Sequence, residues 1–354
     1  MASLPLASLV HDGLRRGSSL AYRAQQRLLV QLCGLTQRTA RRVLLHERED
    51  LSRAEFTALR ERYDALLRRD LANVQAGVYP RALLFGLPWQ RYARALPGLV
   101  RDVPAMVDRK QRDGWRELPA GLELRDYPPY YRRTFHWQTD GYLSRRSAEL
   151  YDVSVEFLFG GTADVMRRQC LVPLHSLAAQ LGRPLRVLDV GCGTGRTLAQ
   201  IRRAMPQADL VGLDLSRFYL DVAREQVDGL ATIEASGERI PLPDASVDAV
   251  VSVFLFHELP RAARRTVWAE ARRVLRPHGR FLVIDSVQHV DSQEIAYFVD
   301  RFSREMHEPF YPEYLRDDLR EGLSGAGFEV EAVDPIYLAK LVTARPMTAA
   351  TPGC

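Results

Sequence analysis

Three glycines alternate with other residues in Val187-Leu-Asp-Val-Gly-Cys-Gly-Thr-Gly195, between an aliphatic run (185–190) and an amphipathic segment opening at Arg196. The aliphatic run reads as a buried parallel strand. Strand, glycine turn and helix together make a place for a nucleotide-like ligand at the carboxyl edge of an open sheet. Glycine suits that turn because the backbone bends sharply and a Cβ would collide with the ligand. Asp189, Gly191, Cys192, Gly193 and Gly195 are therefore candidate ligand-binding residues. The spacing is G-x-G-x-G, with Arg196 where the dinucleotide fingerprint has its third glycine, and no phosphate-cradling G-x-x-x-x-G-K-[ST] occurs. A diphosphate ligand is disfavoured. Asp214, about 20 residues beyond the loop, can accept both hydroxyls of a ribose. Asp189 places negative charge at the pocket floor, which suits a cation better than a pyrophosphate. An adenosyl sulfonium bearing an ammonium group satisfies both acids.

Other residues that could do chemistry sit further along. Val253-Phe-Leu-Phe-His-Glu-Leu-Pro260 follows an apolar, β-branched run, which puts Phe254 and His257 at the sheet edge facing the ligand. His257 is a candidate base or substrate-orienting group, and His307 a second. Tyr311 and Tyr314 follow His307 in a segment suited to pocket lining. The stretch 130–142 is the densest aromatic and polar cluster in the chain, and His136 and Tyr142 within it are candidate pocket residues. It reads equally as a structural connector.

The elements that must position these groups alternate strand and helix from 185 to 286, which implies a doubly wound parallel sheet. Two last strands, at 328–333 and 337–343, are joined by too few residues for a parallel crossover, so that pair is antiparallel. Residues 1–75 carry apolar residues at helical spacing, with Ser52 and Glu55 as a capping box. From Gly77 to Pro129 seven prolines predict short helices and loops. The spacing predicts further helices over 144–159, over 162–180 with a break at Pro173, and over 291–306 and 315–326. The expected organisation is an N-terminal helical or lid region (1–165), a ligand-binding domain (166–345) and a disordered tail (346–354).

Composition narrows the class. The 354 residues are 46% hydrophobic and 26% charged, with net charge +5, as in ordinary globular chains. No apolar run approaches the ~20 residues of a membrane span, and no secretory signal is evident at the N-terminus. A cytoplasmic location is expected. Cys33, Cys170, Cys192 and Cys354 show neither metal-ligand nor disulfide spacing, and no metal is expected. Residues 1–180 hold 28 Lys+Arg against 19 Asp+Glu. Their arginines are interleaved with acids, as on a solvated helix face, so nucleic acid is a disfavoured partner.

Four ordered segments between 185 and 286 resemble the class I S-adenosylmethionine-dependent methyltransferases, nearest the ubiquinone and menaquinone C-methyltransferase group. These are 187–195, Val211-Gly-Leu-Asp-Leu-Ser216, Ala235-Ser-Gly-Glu-Arg-Ile-Pro-Leu-Pro-Asp244 and Arg272-Arg-Val-Leu-Arg-Pro-His-Gly-Arg280. The resemblance implies an α/β, seven-stranded Rossmann-like sheet with S-adenosyl-L-methionine as cofactor. It sets Leu215 beside the adenine and Ser236, Gly237 or Glu238 at the adenine edge, although Ser236 stands where the family has an acid. It also implies methyl transfer to carbon or oxygen of a small molecule, quinone-like or phenolic, because the Asn/Asp-Pro-Pro-aromatic signature of amino-methylating enzymes is absent. An RNA or protein methyltransferase docking through the basic N-terminal half, and a non-catalytic cofactor-binding protein, are the alternatives. The N-terminal region is outside the common core; it could serve as a lid or support a homodimer.

Overall fold

The computed structural model describes residues 6–40, 51–122 and 124–347. Two long helices open it, α1 (Leu6–Ala40) and α2 (Arg53–Gln75). Ser52 Oγ accepts from the Glu55 backbone N–H at 3.1 Å, and the Glu55 carboxylate accepts from the Ser52 N–H at 3.1 Å. This reciprocal cap starts α2 where the Ser-x-x-Glu spacing places it.

Helix α3 (Trp89–Arg112) runs through Pro97 and Pro104, where shorter helices broken at each proline were expected. The two prolines are two turns apart and share a face. Each removes one ladder bond, and the helix survives because its other face buries Asp102 and Arg109. Arg109 donates to the Trp137 carbonyl at 2.9 Å, and Asp102 accepts from Thr139 Oγ1 at 2.6 Å. Helices α4 (Arg145–Leu158), α5 (Ala163–Arg167) and α6 (Leu171–Leu181) follow. The chain breaks at Arg168–Cys170, not at Pro173, which occupies the first turn of α6, where a missing N–H costs little. The expected boundary at residue 165 falls inside α5.

Then come β1 (Arg186–Val190), α7 (Arg196–Ala204), β2 (Asp209–Asp214), α8 (Arg217–Gln226), β3 (Ala231–Glu234), β4 (Val247–Val253), α9 (Arg261–Val274) and β5 (Leu275–Ser286). The chain closes with α10 (Ala296–Glu305), α11 (Tyr311–Tyr314), α12 (Leu319–Gly325), β6 (Phe328–Ile336) and β7 (Ala339–Pro346). The helices expected over 291–306 and 315–326 are shorter than their patterns, and single 3-10 turns precede α10. Strand β7 includes Pro346, paired with Phe328, so the first residue of the expected tail is sheet. Residues 348–354 lie outside the described residues.

The seven strands order as β3-β2-β1-β4-β5-β7-β6. All neighbours are parallel except β7, which runs antiparallel to β5 and β6. Strand order reverses between β1 and β4, which opens a crevice at their carboxyl ends. Among the described residues no helix is long and apolar enough to cross a membrane.

Helices α1 and α2 are fastened to the turn between α5 and α6 by a buried ionic knot. Arg168 Nε donates to Asp70 Oδ1 at 2.6 Å, and the hydroxyls of Tyr22 and Tyr79 donate to the same carboxylate at 2.5 and 2.6 Å. All four side chains are buried. Removing one partner of such a pair leaves an uncompensated buried charge.

Candidate active site

The glycine turn is built as its residue types require. Gly191, Gly193 and Gly195 have φ of 71°, 53° and 79°, the left-handed region that side chains resist. A Cβ on Gly195 would stand 3.0 Å from the Ala223 Cβ, so the third glycine lets α7 and α8 meet. The N–H groups of Gly191 and Cys192 both donate to the Leu213 carbonyl, at 2.8 and 3.0 Å, which ties the turn to β2. Burial pushes the Cys192 thiol well up, so it stays protonated and serves as a small filler beside Gly212 and Leu198.

Arg196 explains the departure from the dinucleotide spacing. It is buried and forms an ion pair with Asp164 of α5. Thr194 donates to Asp152 of α4 at 2.5 Å. The turn is thus braced from the N-terminal side by charged groups, at the position where a glycine would admit only close packing.

Two acids stand at the carboxyl ends of the neighbouring strands β1 and β2. Asp214 accepts from the backbone N–H of Gly193 at 2.9 Å and of Ser216 at 2.8 Å. Burial raises it to about 6, with those N–H groups pulling the other way. Asp189 is buried beneath the loop and its Oδ1 has no hydrogen-bond partner. Burial and the nearby Asp214 raise it to about 8 against the pull of Arg167. A buried, unpaired carboxylate oxygen under a glycine cradle fits an ammonium or sulfonium, which would supply the missing partner. The residues present therefore suit S-adenosylmethionine: Asp214 for the ribose, Asp189 and the glycine turn for the charged end. When bound, that cofactor supplies an electrophilic methyl group.

A cleft of about 940 Å³ opens beside the end of β2, lined by Leu215, Ser236 and Glu238 together with Tyr127 and Arg132. Tyr127 stacks on Tyr131 at 5.7 Å. Ser236 accepts from the Glu238 N–H at 3.1 Å, and Glu238 accepts from Tyr130 at 2.5 Å. Gly237 does not line the cleft; its backbone lies against Val190 and Val267.

A second cavity of about 390 Å³ lies against Phe254, lined by residues of α3, α4, α10 and the 136–139 segment. Its wall is mainly apolar, from Val103, Met106, Tyr151, Phe298 and Phe302, with His136, His257, Glu258 and Tyr311 contributing polar atoms. Phe254, at φ 57°, stacks on Phe159 at 5.1 Å and forms part of the wall.

His257 Nδ1 is 2.5 Å from Asp285 Oδ1, which fixes the ring so that its other nitrogen is free for the cavity. Burial pushes this imidazole down, but Asp285 and the more distant Glu308 and Glu258 outweigh it and raise it to about 10. A protonated His257 holds an oxygen of an acceptor better than it removes a proton.

The candidates from sequence divide into two groups. His136, His257 and Tyr311 meet at the cavity. His307 is elsewhere, stacked on Trp115 at 5.6 Å and tilted against Trp137 at 4.9 Å, with burial and Arg133 lowering it to about 4. Tyr142 and Tyr314 stand behind the wall. Tyr142 donates to Glu258 at 2.6 Å and Tyr314 to the Ser286 carbonyl at 2.5 Å. Sequence reasoning passed over Asp285, Glu258 and Glu308. The His-Glu pairs at 257–258 and 307–308 were the available signal: both members of the first and Glu308 of the second are buried.

Fold and site together define a class I methyltransferase domain. Residues 187–279 match the family model described as a methyltransferase domain. The chain is 32% identical over 165 residues to a ubiquinone/menaquinone biosynthesis C-methyltransferase of Methylobacterium nodulans, covering 45% of this chain and 63% of that protein. It is 34% identical over 135 residues to a fatty-acid O-methyltransferase of Mycolicibacterium smegmatis, covering 37% of this chain and 48% of that protein. It thus spans less than two thirds of the length of these curated relatives. A solved structure of an S-adenosylmethionine-dependent methyltransferase from Aquifex aeolicus is 23% identical, with a TM-score of 0.37 over 46% of this chain and 82% of that one.

Proposed function

We propose that the chain transfers the methyl group of S-adenosylmethionine to a carbon or oxygen of a small, largely apolar molecule. The observation that carries this is the mainly apolar cavity of about 390 Å³ lined by Phe254, His257 and Glu258, the residues that directly follow β4. Its volume falls in the range of small-molecule sites. Methyl transfer from a sulfonium is an in-line displacement, so alignment is the main task of the protein, and alignment alone lowers such barriers by ~7–11 kcal/mol in favourable cases. The 136–142 segment, α3 and α10 would hold the acceptor away from water. His257, oriented by Asp285, would bind an acceptor oxygen.

The basic N-terminal half supports docking of RNA or protein less well. Several of its arginines are engaged with acids, as in Arg112 with Asp108 and Glu117, and Arg145 with Glu149 and Glu225. The test is calorimetry with S-adenosylmethionine, followed by incubation with methyl-labelled cofactor and separate pools of phenols, quinols, fatty acids and RNA. Label in a small-molecule pool is the expected result. Label confined to RNA, or no cofactor binding, would overturn the proposal.

A further inference from the structure

We propose that His136, Glu258 and Glu308 bind a divalent transition-metal cation at the wall of this cavity. One donor atom from each residue lies within 4.8 Å of the other two. His136 Nε2 is 3.1 Å from Glu308 Oε1 and 3.4 Å from Glu258 Oε1. Separations of about 3.0–3.6 Å are what metal–ligand bonds of ~2.0–2.2 Å impose on neighbouring ligands.

Glu308 is the observation that points to a ligand. It is 2% exposed, and neither carboxylate oxygen has a hydrogen bond. A buried carboxylate is ordinarily hydrogen-bonded, paired or bound to a metal. Here its close polar neighbours are the His136 ring, 3.1 Å away in a geometry that makes no hydrogen bond, and the Glu258 carboxylate.

The surroundings are arranged to hold the other two ligands. Tyr142 donates to Glu258 at 2.6 Å, the kind of outer partner that orients a ligating carboxylate. His136, Trp137 and Asp140 all have positive φ, at 53°, 60° and 70°. Three non-glycine residues in that region within one short segment represent strain that the surrounding packing maintains. The strain presents the His136 ring to the two acids.

One imidazole and two carboxylates, with no thiolate, suit Zn²⁺ or Mn²⁺. Three protein ligands leave coordination positions open, and His136 and Glu258 both line the cavity. The open positions would therefore take an oxygen of the acceptor, which makes the preferred acceptor one with an enol, phenol or carboxylate oxygen. That last step rests on the cavity being the acceptor site.

The test is calorimetric titration of the chelator-treated full chain with ZnCl₂, then MnCl₂, and separately with S-adenosylmethionine. One cation per chain is expected. Glu308→Gln should weaken its binding by about 100-fold or more, and His136→Ala should do the same. Metal-free Glu308→Gln should unfold at the same temperature as the parent or higher, because burying this carboxylate beside that of Glu258 costs more than its contact with His136 returns. A structural His–Glu pair would give the opposite: no cation bound and a less stable Glu308→Gln. Folded protein that binds S-adenosylmethionine but neither cation would overturn the metal site alone. Equal affinity in both variants would overturn it too. Cation binding without S-adenosylmethionine binding would remove the methyl-transfer reading and leave the metal site standing.

Discussion

Tyr142 and Glu258, 116 residues apart in the chain, are joined by a hydrogen bond of 2.6 Å between the phenol and a buried carboxylate. The Tyr142 carbonyl also accepts from Ser216 Oγ at 2.6 Å. One residue of the aromatic segment therefore touches both the end of β2 and the loop after β4. Tyr142→Phe keeps the ring stacked on Phe135, 5.2 Å away, and removes only the donated bond. It should cost about 1.5–3 kcal/mol, typical for a hydrogen bond to a charged group. Urea unfolding reads this as a lower midpoint at unchanged slope.

Asp214 holds the Gly193 N–H and is the residue proposed to take the ribose hydroxyls. Asp214→Ala should weaken S-adenosylmethionine binding by roughly 10- to 100-fold, the loss of one or two hydrogen bonds to a charged group. Calorimetry measures it directly. Unchanged affinity would show that the nucleoside does not lie across this strand end.

Asp189 makes the binding pH-dependent. Its folded pKa of about 8 means that it is neutral below that pH and must lose its proton to meet a cation. Affinity for S-adenosylmethionine should therefore rise up to about tenfold per pH unit from pH 6 toward 8 and level off above. Asp189→Asn should bind more weakly at pH 8 and lose most of the slope. Stability runs the other way. A carboxyl whose pKa is raised on folding stabilises the fold fully only below its unfolded value near 4, and that contribution is lost as pH climbs to 8. Asp189→Asn should therefore be the more stable protein at pH 7, by a few kcal/mol at most, in a thermal melt.

Gly195 has φ 79° and no room for a Cβ against Ala223. Gly195→Ala should cost ~1–3 kcal/mol through backbone strain and loosen the turn. Both effects appear in one experiment, as a lower melting temperature and weaker cofactor binding.

Met106 lines the second cavity from α3, and no residue of the glycine turn does. Met106→Trp fills that space. The Michaelis constant for an acceptor should rise about tenfold or more, since a misfitting group in an apolar pocket costs ~1–3 kcal/mol. The dissociation constant for S-adenosylmethionine should not move. A parallel change in both would mean that the cavity belongs to the cofactor.

Much of this protein is decided by local patterning. The glycine turn, Asp189 and Asp214 lie within one strand–turn–helix–strand unit, where residue type and spacing suffice because φ values and strand ends are set by nearby residues. The antiparallel β6–β7 pair follows from a link too short for a crossover, and the α2 cap from Ser52 and Glu55. Periodicity failed where distant contacts outweighed it. Helix α3 passes two prolines because Asp102 and Arg109 are buried by residues 137–139 and 146. The cavity and its polar wall belong wholly to tertiary structure. His136 and Glu258 are 122 positions apart, and His257 is oriented by Asp285, 28 positions away. His257 and His307 carry the same following glutamate and the same apparent chemistry. Only folding separates them, because one ring is held by a carboxylate at a strand end and the other is packed between two tryptophans.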